Sequence, residues 1–117
     1  MMAEFKPFEV ERPWGTFRQL THNSLSTVKI HRIKPGGETS LQSHKKRSEF
    51  WHIISGSGII RVEDKEYNVV PGDEYDAPVG VKHRWKAGDS GMILAEVAVG
   101  DFDEEDIIRF EDKYGRA

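Results

Sequence analysis

The sequence predicts an all-β protein, and three observations carry this prediction. Strand-length runs rich in β-branched and apolar residues recur along the 117-residue chain. Glycine and proline residues separate these runs, and the last run, residues 92–99, alternates between two faces. Short strands at regular spacing with turn residues between them are typical of β-sandwiches and barrels. A chain of this length forms one domain with a modest core, so we expect a single domain over residues 1–117.

The first half of the chain predicts extended segments separated by turns. Residues 12–15, Arg-Pro-Trp-Gly, indicate a turn because proline fixes its own φ and glycine permits unusual values. The residues before this turn are expected to be extended. The strands predicted next are residues 15–20, 26–34 and 39–44, separated by a loop at residues 22–24 and a turn at residues 35–37.

The second half continues the pattern. Residues 50–55 form a nearly continuous apolar run that is bounded by Gly56 and Gly58, which favours a buried strand. The other predicted strands are residues 59–62, 67–70, 74–77, 82–86 and 92–99, with a hairpin turn at residues 63–66 and a loop at residues 87–91. The acidic tail, residues 103–110, is compatible with one helical turn.

Composition excludes several classes of protein. The chain has no cysteine, which excludes disulfides and thiolate metal sites and fits a reducing compartment. Its net charge is −3 and no basic stripe stands out, so a nucleic-acid partner is not indicated. No apolar run approaches the length of a membrane span, and the N-terminus lacks the apolar segment of a signal peptide. We therefore expect a cytoplasmic protein with no membrane partner.

Four side chains have the chemistry and spacing of a metal site. Gln42 and His44 are two residues apart, so on a strand they point to the same side. Glu49 follows after a short basic interval that is typical of a turn, and His83 ends a downstream run of turn residues. Imidazole nitrogens with carboxylate and amide oxygens suit a divalent ion such as zinc, manganese, iron, cobalt or nickel. Three or four such ligands from two segments predict an open site for one ion.

The spacing of these residues resembles the two sequence motifs of the cupin family. The first motif falls on Gly37, Gln42, His44, Glu49 and Gly56, and the second falls on Gly72, Pro78, Gly80 and His83. A glutamine at the first ligand position is similar to phosphomannose isomerases, which hold zinc with Gln, His, Glu and His. The resemblance implies a double-sheet jelly-roll barrel with a short C-terminal tail.

Further segments resemble one particular family, the C-terminal isomerase domain of the bifunctional phosphomannose isomerase/mannose-1-phosphate guanylyltransferases. They are residues 12–15, 40–44, 47–51 and 105–116, in the family's order. The resemblance implies a metal-dependent isomerase that interconverts mannose 6-phosphate and fructose 6-phosphate, with zinc as the first choice of metal. The chain leaves no room for a nucleotide-binding domain, so it resembles a stand-alone isomerase module.

The resemblance also implies roles for individual residues. The metal ligands are Gln42, His44, Glu49 and His83, and the functional arginines fall on Arg47, Arg109 and Arg116, with an associated glutamate at Glu111. Arginine offers a planar fork of donors that suits a phosphate group. The base that moves the proton is left open among Glu111, Glu96 and a metal-bound water. Arg47 could instead form a structural ion pair with Glu49 and have no role in substrate binding. Arg109 and Arg116 could likewise belong to a solvated tail that is held by salt bridges.

The chain departs from the family pattern at several positions that line or flank the expected pocket: Lys45, Lys46, Phe50, Ala87 and Ala98. These departures leave two alternatives, a non-catalytic cupin that binds a small sugar or carboxylate, and another metal-dependent cupin enzyme such as a dioxygenase. We expect a homodimer, because cupins expose sheet edges that commonly pair. The three tryptophans, Trp14, Trp51 and Trp85, are expected in the core, and His22, His31 and His52 at the surface or in the barrel wall.

Overall fold

A computed structural model describes residues 6–117, and within this range the regular structure consists of strands. Their bounds are β1 Phe8–Arg12, β2 Gly15–Gln19, β3 Ser26–Ile33, β4 Leu41–Ser43, β5 Arg47–Val62, β6 Lys65–Val69, β7 Glu74–Ala77, β8 His83–Gly100 and β9 Ile108–Glu111. The prediction of an all-β fold is confirmed. Residues 6–117 contain no helix that is long and apolar enough to cross a membrane.

Two long antiparallel strands, β5 and β8, organise the barrel because each takes part in two sheets. The N-terminal half of β5 and the C-terminal half of β8 pair with each other, with β7 and β3 on their outer sides. The other halves of β5 and β8 also pair, with β6 on one side and β4 followed by β9 on the other. Both strands therefore bend from one sheet into the next, as in a jelly roll.

The bend explains two differences from the sequence predictions. The strands predicted at residues 50–55 and 59–62 are one strand, β5, whose register shifts near Gly56. The predicted loop at residues 87–91 lies inside β8, where residues 88–91 bulge out opposite the single residue Ser57. Gly56 has a φ of 80°, and a Cβ there would collide with the carbonyl oxygen of Gly91. Only glycine permits this close crossing of the two backbones.

The core lies between the two sheets. Inward residues of β5 and β8 fill it, including Trp51, Ile53, Trp85 and Leu94. The two tryptophan rings pack edge to face with centroids 5.5 Å apart, a geometry that favours aromatic pairs. The prediction of a core position is wrong for Trp14, which is 73% exposed because it occupies the tip of the β1–β2 hairpin.

The C-terminal tail forms a turn and a strand where the sequence left room for a helical turn. The amide of Asp106 donates to the carbonyl oxygen of Asp103 at 3.0 Å, which closes a turn. The chain then continues as β9 and pairs with β4. The free edge of β4 offers ladder hydrogen bonds to the tail, and these replace the local bonds of a helix. The tail thereby lies beside the segment that carries His44.

Candidate metal centre

Three buried side chains from three different segments converge inside the barrel: His44, Glu49 and His83. Their nearest nitrogen and oxygen atoms lie within 4.8 Å of one another. His44 follows β4, Glu49 points inward from β5, and His83 begins β8. The side-chain alternation of β5 and β8 aims Glu49 and His83 inward together with the tryptophans of the core. The fold thus joins two residues that are five positions apart with a third that lies 34 positions farther along the chain.

The hydrogen bonds of the two imidazoles orient their Nε2 atoms toward Glu49. His44 Nδ1 lies 2.7 Å from the carbonyl oxygen of Asp106, and His83 Nδ1 lies 3.1 Å from that of Val81. A carbonyl oxygen only accepts, so each Nδ1 carries the hydrogen and donates it. In the neutral rings each Nε2 then presents a lone pair, as a metal-binding histidine does.

The Nε2 lone pairs of both imidazoles point at the carboxylate of Glu49, which can also only accept hydrogen bonds. His44 Nε2 lies 3.0 Å from Glu49 Oε2, and His83 Nε2 lies 3.4 Å from Glu49 Oε1. His83 Nε2 is buried and makes no hydrogen bond within the described residues, although buried polar atoms are usually satisfied. A cation between these atoms would satisfy all three groups. The donor set of two imidazoles and one carboxylate fits a divalent ion such as zinc or another first-row metal.

Glu49 is held in its ionised form. Burial raises its pKa, but the hydrogen bonds that His44 and His83 give to the carboxylate when no cation separates them outweigh burial and keep the pKa well below its usual range. Trp51 Nε1 donates to Glu49 Oε1 at 3.0 Å, and Arg47 Nε donates to Oε2 at 3.2 Å. Glu49 is therefore a charged, oriented carboxylate, which is the form that binds a cation.

Asp106 fixes the orientation of His44, a role that no sequence pattern indicates. Its carbonyl oxygen accepts the His44 Nδ1 hydrogen bond. Its carboxylate accepts hydrogen bonds from the backbone amides of Lys45 and Lys46, each at 2.9 Å. The amide of Lys45 is the main reason that the pKa of Asp106 lies below its usual range. Asp106 thus clamps the tail to the turn after His44 and sets the position of that ring.

A cavity of about 240 Å³ opens in front of this group. Its basic lining residues are Lys29, Arg47, Arg109 and Arg116, and its carboxylates are Glu49, Glu96 and Glu104. Of the residues expected from sequence, Gln42 and His44 line the same cavity. The amide oxygen of Gln42 accepts a hydrogen bond from Ser40 Oγ at 3.0 Å. Its role as a ligand stays a prediction.

The expected substrate residues occupy different surroundings. Arg47 is buried, donates to Glu49 and to the carbonyl oxygen of Asp103, and lies over the ring of Phe102. The Nε atom of Arg109 is buried without a hydrogen-bond partner among the described residues. Arg47 therefore uses its hydrogen-bond donors within the protein, whereas the Nε–H of Arg109 has no acceptor among the described residues.

The two remaining tail residues lie farther out. Arg116 is exposed and pairs with Asp112 at 2.8 Å, although it lines the outer part of the cavity. Glu111 is exposed, approaches Arg84 at 3.9 Å and is not among the described residues that line the cavity. The geometry therefore brings Arg116 close to the cavity and leaves Glu111 outside it.

Glu96 and His31 form a second polar pair in the cavity wall. His31 Nε2 lies 3.0 Å from Glu96 Oε1, and the His31 ring packs edge-on against Trp85. Burial raises the pKa of Glu96; His31 opposes this shift and the neighbouring Glu49 carboxylate adds to it. Sequence reasoning placed His31 at the surface or in the barrel wall and missed Lys29. Both lie on β3, whose alternation points them into the cavity.

Sequence comparison gives the family of the chain. Residues 3–112 match the family described as mannose-6-phosphate isomerase C-terminal. The xanthan biosynthesis protein XanB of Xanthomonas campestris pv. campestris (strain B100) is 37% identical over 110 residues, which cover 92% of this chain and 24% of XanB. The mannose-1-phosphate guanylyltransferase of Salmonella montevideo is also 37% identical, over 92% of this chain and 23% of its own length. The chain therefore spans about a quarter of the length of these relatives.

Structural comparison agrees on the fold. Oxalate decarboxylase from Bacillus subtilis superposes with a TM-score of 0.68 and 26% identity, over 74% of this chain and 24% of that chain. The capsular polysaccharide assembling protein CapF from Staphylococcus aureus superposes with a TM-score of 0.67 and 24% identity, over 92% of this chain and 33% of that chain. The double-sheet architecture and these likenesses establish the cupin fold. The chain belongs to the mannose-6-phosphate isomerase C-terminal family.

Proposed function

We propose that this protein is a metal-dependent sugar-phosphate isomerase that interconverts mannose 6-phosphate and fructose 6-phosphate. The observation that carries the proposal is the buried His44–Glu49–His83 group, with the lone pairs of both imidazoles aimed at one carboxylate. It lies at the bottom of a cavity with basic side chains around its wall. Membership of the family supports the choice of substrate.

His44, Glu49 and His83 would hold the ion, and Gln42 is the expected fourth ligand. A bound divalent ion supplies Lewis-acid polarisation of the sugar's carbonyl and hydroxyl oxygens. The protein contributes the fixed geometry, because Asp106 and Val81 lock the two rings through their Nδ1 atoms. The buried setting also keeps bulk water away from the reacting carbons.

The basic residues of the cavity wall suit the phosphate end of the substrate. Arg109 has a buried Nε without a partner among residues 6–117, so a phosphate oxygen would satisfy it. Arg116 and Lys29 lie on the same wall, but each is paired, with Asp112 and with Glu104. An arriving phosphate would compete with these exposed pairs, which individually contribute little.

The isomerisation needs a base that takes the proton from C2 of the open-chain sugar and returns a proton to C1, while a proton moves from O2 to O1. Among the side-chain candidates, Glu96 lies inside the cavity and is oriented by His31 at 3.0 Å. Glu111 is exposed and lies next to Arg84, outside the cavity lining. The geometry therefore favours Glu96 over Glu111 for this role.

The test is a coupled assay for conversion of mannose 6-phosphate to fructose 6-phosphate after metal removal, with zinc, manganese, cobalt, iron or nickel added back singly. We expect turnover to depend on added metal. His44→Ala should abolish both turnover and metal binding. His22→Ala is the matched control because His22 is exposed and its ring makes hydrogen bonds only with Gln19 and Asn23 among the described residues. Folded wild-type protein that shows no turnover with any of these metals would refute the proposal.

A second candidate function is a non-catalytic binding module for a small sugar or carboxylate. The observation that favours it is the state of the tail, where Arg116 is engaged with Asp112 and Glu111 lies outside the cavity. Calorimetric binding of mannose 6-phosphate to the metal-loaded protein, without turnover, would support this candidate. Iron-dependent oxygen consumption would instead indicate a different cupin enzyme.

A further inference from the structure

A second cavity lies on the outer face of the sheet that contains β6, β5 and β8. The side chains of β8 alternate, so His83 and Trp85 are buried inside the barrel while Arg84 and Lys86 point outward. The outward residues line a cavity of about 240 Å³, which we call the outer cavity. Its lining residues are Glu38, Ile59, Arg61, Glu66, Arg84 and Lys86. None of these six lines the cavity in front of the metal-binding group.

Strand pairing sets the order of the charges across the outer cavity. Arg61 on β5 lies directly opposite Arg84 on β8, and Lys86 follows Arg84 on the same face. The two carboxylates lie at the ends of these rows. Glu66 is the partner of Arg61 on β6, and Glu38 forms a bridge with Lys86. Three cations therefore share the centre of the cavity, and one carboxylate lies on each side of them.

Two of these cations have no carboxylate partner. Arg61 donates from its Nε to the carbonyl oxygen of Glu63 at 2.8 Å, which leaves both terminal nitrogens of the guanidinium without a hydrogen bond among the described residues. Neither Arg61 nor Lys86 makes an ion pair within residues 6–117. Glu66 makes none there either, although it lies directly opposite Arg61.

The third cation, Arg84, is fixed through its Nε. This atom donates to the carbonyl oxygen of Thr39 at 3.2 Å. The carboxylates nearest to Arg84 are those of Glu38 and Glu111, at 3.8 and 3.9 Å, which is too long for a hydrogen bond. Like charges directly opposite each other destabilise a sheet. A bound anion would remove that cost for Arg61 and Arg84.

We propose that the outer cavity binds the phosphate group of a small anionic ligand, with Arg61, Arg84 and Lys86 as the donors. The terminal nitrogens of a guanidinium suit two oxygens of one oxyanion. A single guanidinium can satisfy the two oxygens of a carboxylate, whereas two guanidiniums and an ammonium suit a group with more charge and more acceptor oxygens. This site is separate from the metal-binding group, so the proposal does not depend on the isomerase activity.

Charge and size agree with such a ligand. Three cations and two carboxylates line the outer cavity, so its net charge is +1, whereas the whole chain has a net charge of −3. A locally positive cleft in an acidic protein concentrates anions. Its volume of about 240 Å³ is below the range of about 300–1,000 Å³ for drug-sized ligands, so a nucleotide is too large for it. Glu111, which the family resemblance singled out, lies beside this cavity through its approach to Arg84.

The test follows the side-chain Nε–H signals of the arginines by nuclear magnetic resonance. Inorganic phosphate replaces chloride at constant ionic strength, and the signal that is lost in each variant gives its assignment. We expect the signals of Arg61 and Arg84 to shift and to saturate in the millimolar range. Acetate at the same ionic strength should bind much more weakly. An absent shift with phosphate, or an equal response to acetate, would overturn the proposal.

Substitutions at the rim identify the donors. Lys86 is exposed, so Lys86→Gln should keep the fold and weaken phosphate binding about ten-fold. Glu66→Gln should tighten binding, because it removes a like charge beside the ligand. The matched control is Arg32→Gln, which removes an exposed cation that lines neither cavity. It should bind phosphate as the wild type does, and equal affinities in Lys86→Gln and Arg32→Gln would refute the assignment.

One further variant separates the outer cavity from the cavity in front of the metal-binding group. Arg109 lines only the latter, so Arg109→Gln should leave the phosphate titration of the Arg61 signal unchanged. If the Arg61 signal no longer responded in this variant, the phosphate would be bound at the inner cavity and the proposal would be wrong. Circular dichroism checks that each variant is folded.

Discussion

Replacing Asp106 by alanine should weaken metal binding without touching a ligand. The side chain accepts two backbone hydrogen bonds at 2.9 Å, from Lys45 and Lys46, and these bonds hold the carbonyl that orients His44. Loss of such an orienting contact typically costs about 10- to 100-fold in metal affinity, or about 1.4–2.7 kcal/mol. The hydrogen bonds are near the solvent, so the loss in folding free energy should be smaller, about 1 kcal/mol.

The assay is a competition titration of zinc or cobalt against a chromophoric chelator, together with urea unfolding of the metal-free protein. Asp106→Asn keeps one acceptor oxygen and should fall between the wild type and Asp106→Ala. Glu105→Ala is the matched control, since the Glu105 carboxylate is exposed and makes no hydrogen bond within the described range. Unchanged metal affinity in Asp106→Ala, with the fold intact, would refute the orienting role.

Three further predictions follow from the same geometry. Adding zinc at about 100 times its dissociation constant should stabilise the metal-free protein by about 2.7 kcal/mol, measured as a rise in melting temperature that a chelator reverses; no shift would count against the metal centre. Gly56→Ala should destabilise the fold by more than about 2 kcal/mol in urea, because the Cβ would meet the Gly91 backbone; wild-type stability would show that the bend can relax. Burial raises the pKa of Glu74, but hydrogen bonds from Arg18 and His52 outweigh it and hold that pKa below its usual value. The folded protein therefore gains the full stabilisation from the ionised Glu74 above about pH 4.3, the value for an unfolded chain, and loses it as the pH falls through the lower pKa of Glu74 in the folded protein. Arg18→Ala should therefore be less stable than the wild type at pH 7, and this difference in the free energy of unfolding should shrink as the pH is lowered below about 4.3; a difference that stays constant with pH would contradict the ion pair's contribution.

Much of the fold could be read from the sequence because its signals are local. Alternating apolar residues and turn-forming glycines predict the strands, and motif spacing indicates which polar residues share a space, as His44, Glu49 and His83 do. The interruption at residues 87–91 looked like a loop because Gly88 and Gly91 are turn residues. It remains in β8 because the partner strand bends with it. Residues 87–91 are therefore part of a strand because β8 pairs with β5 on both sides of them, and the alternation of apolar residues along the sequence carries no information about such long-range pairing.

The supporting residues of the site were beyond sequence reasoning for the same reason. Asp106 acts on His44 through a backbone carbonyl, which every residue has, so no side-chain pattern reports it. Lys29 and His31 reach the cavity only because β3 pairs with β8 in one register. Trp14 was expected in the core because it is a large aromatic residue, and its exposure depends on where the β1–β2 hairpin lies.

The bent strands have a mechanical consequence for the converging group. Glu49 belongs to the part of β5 that pairs with β7, and His83 to the part of β8 that pairs with β4, so the two side chains come from opposite walls of the barrel. An ion held between them would fasten one wall to the other. In a chain without cysteines, coordination of one ion by Glu49 and His83 would restrain the two walls as a disulfide bond would. Release of the ion would then leave the walls held together by the apolar core and by the pairing of β5 with β8.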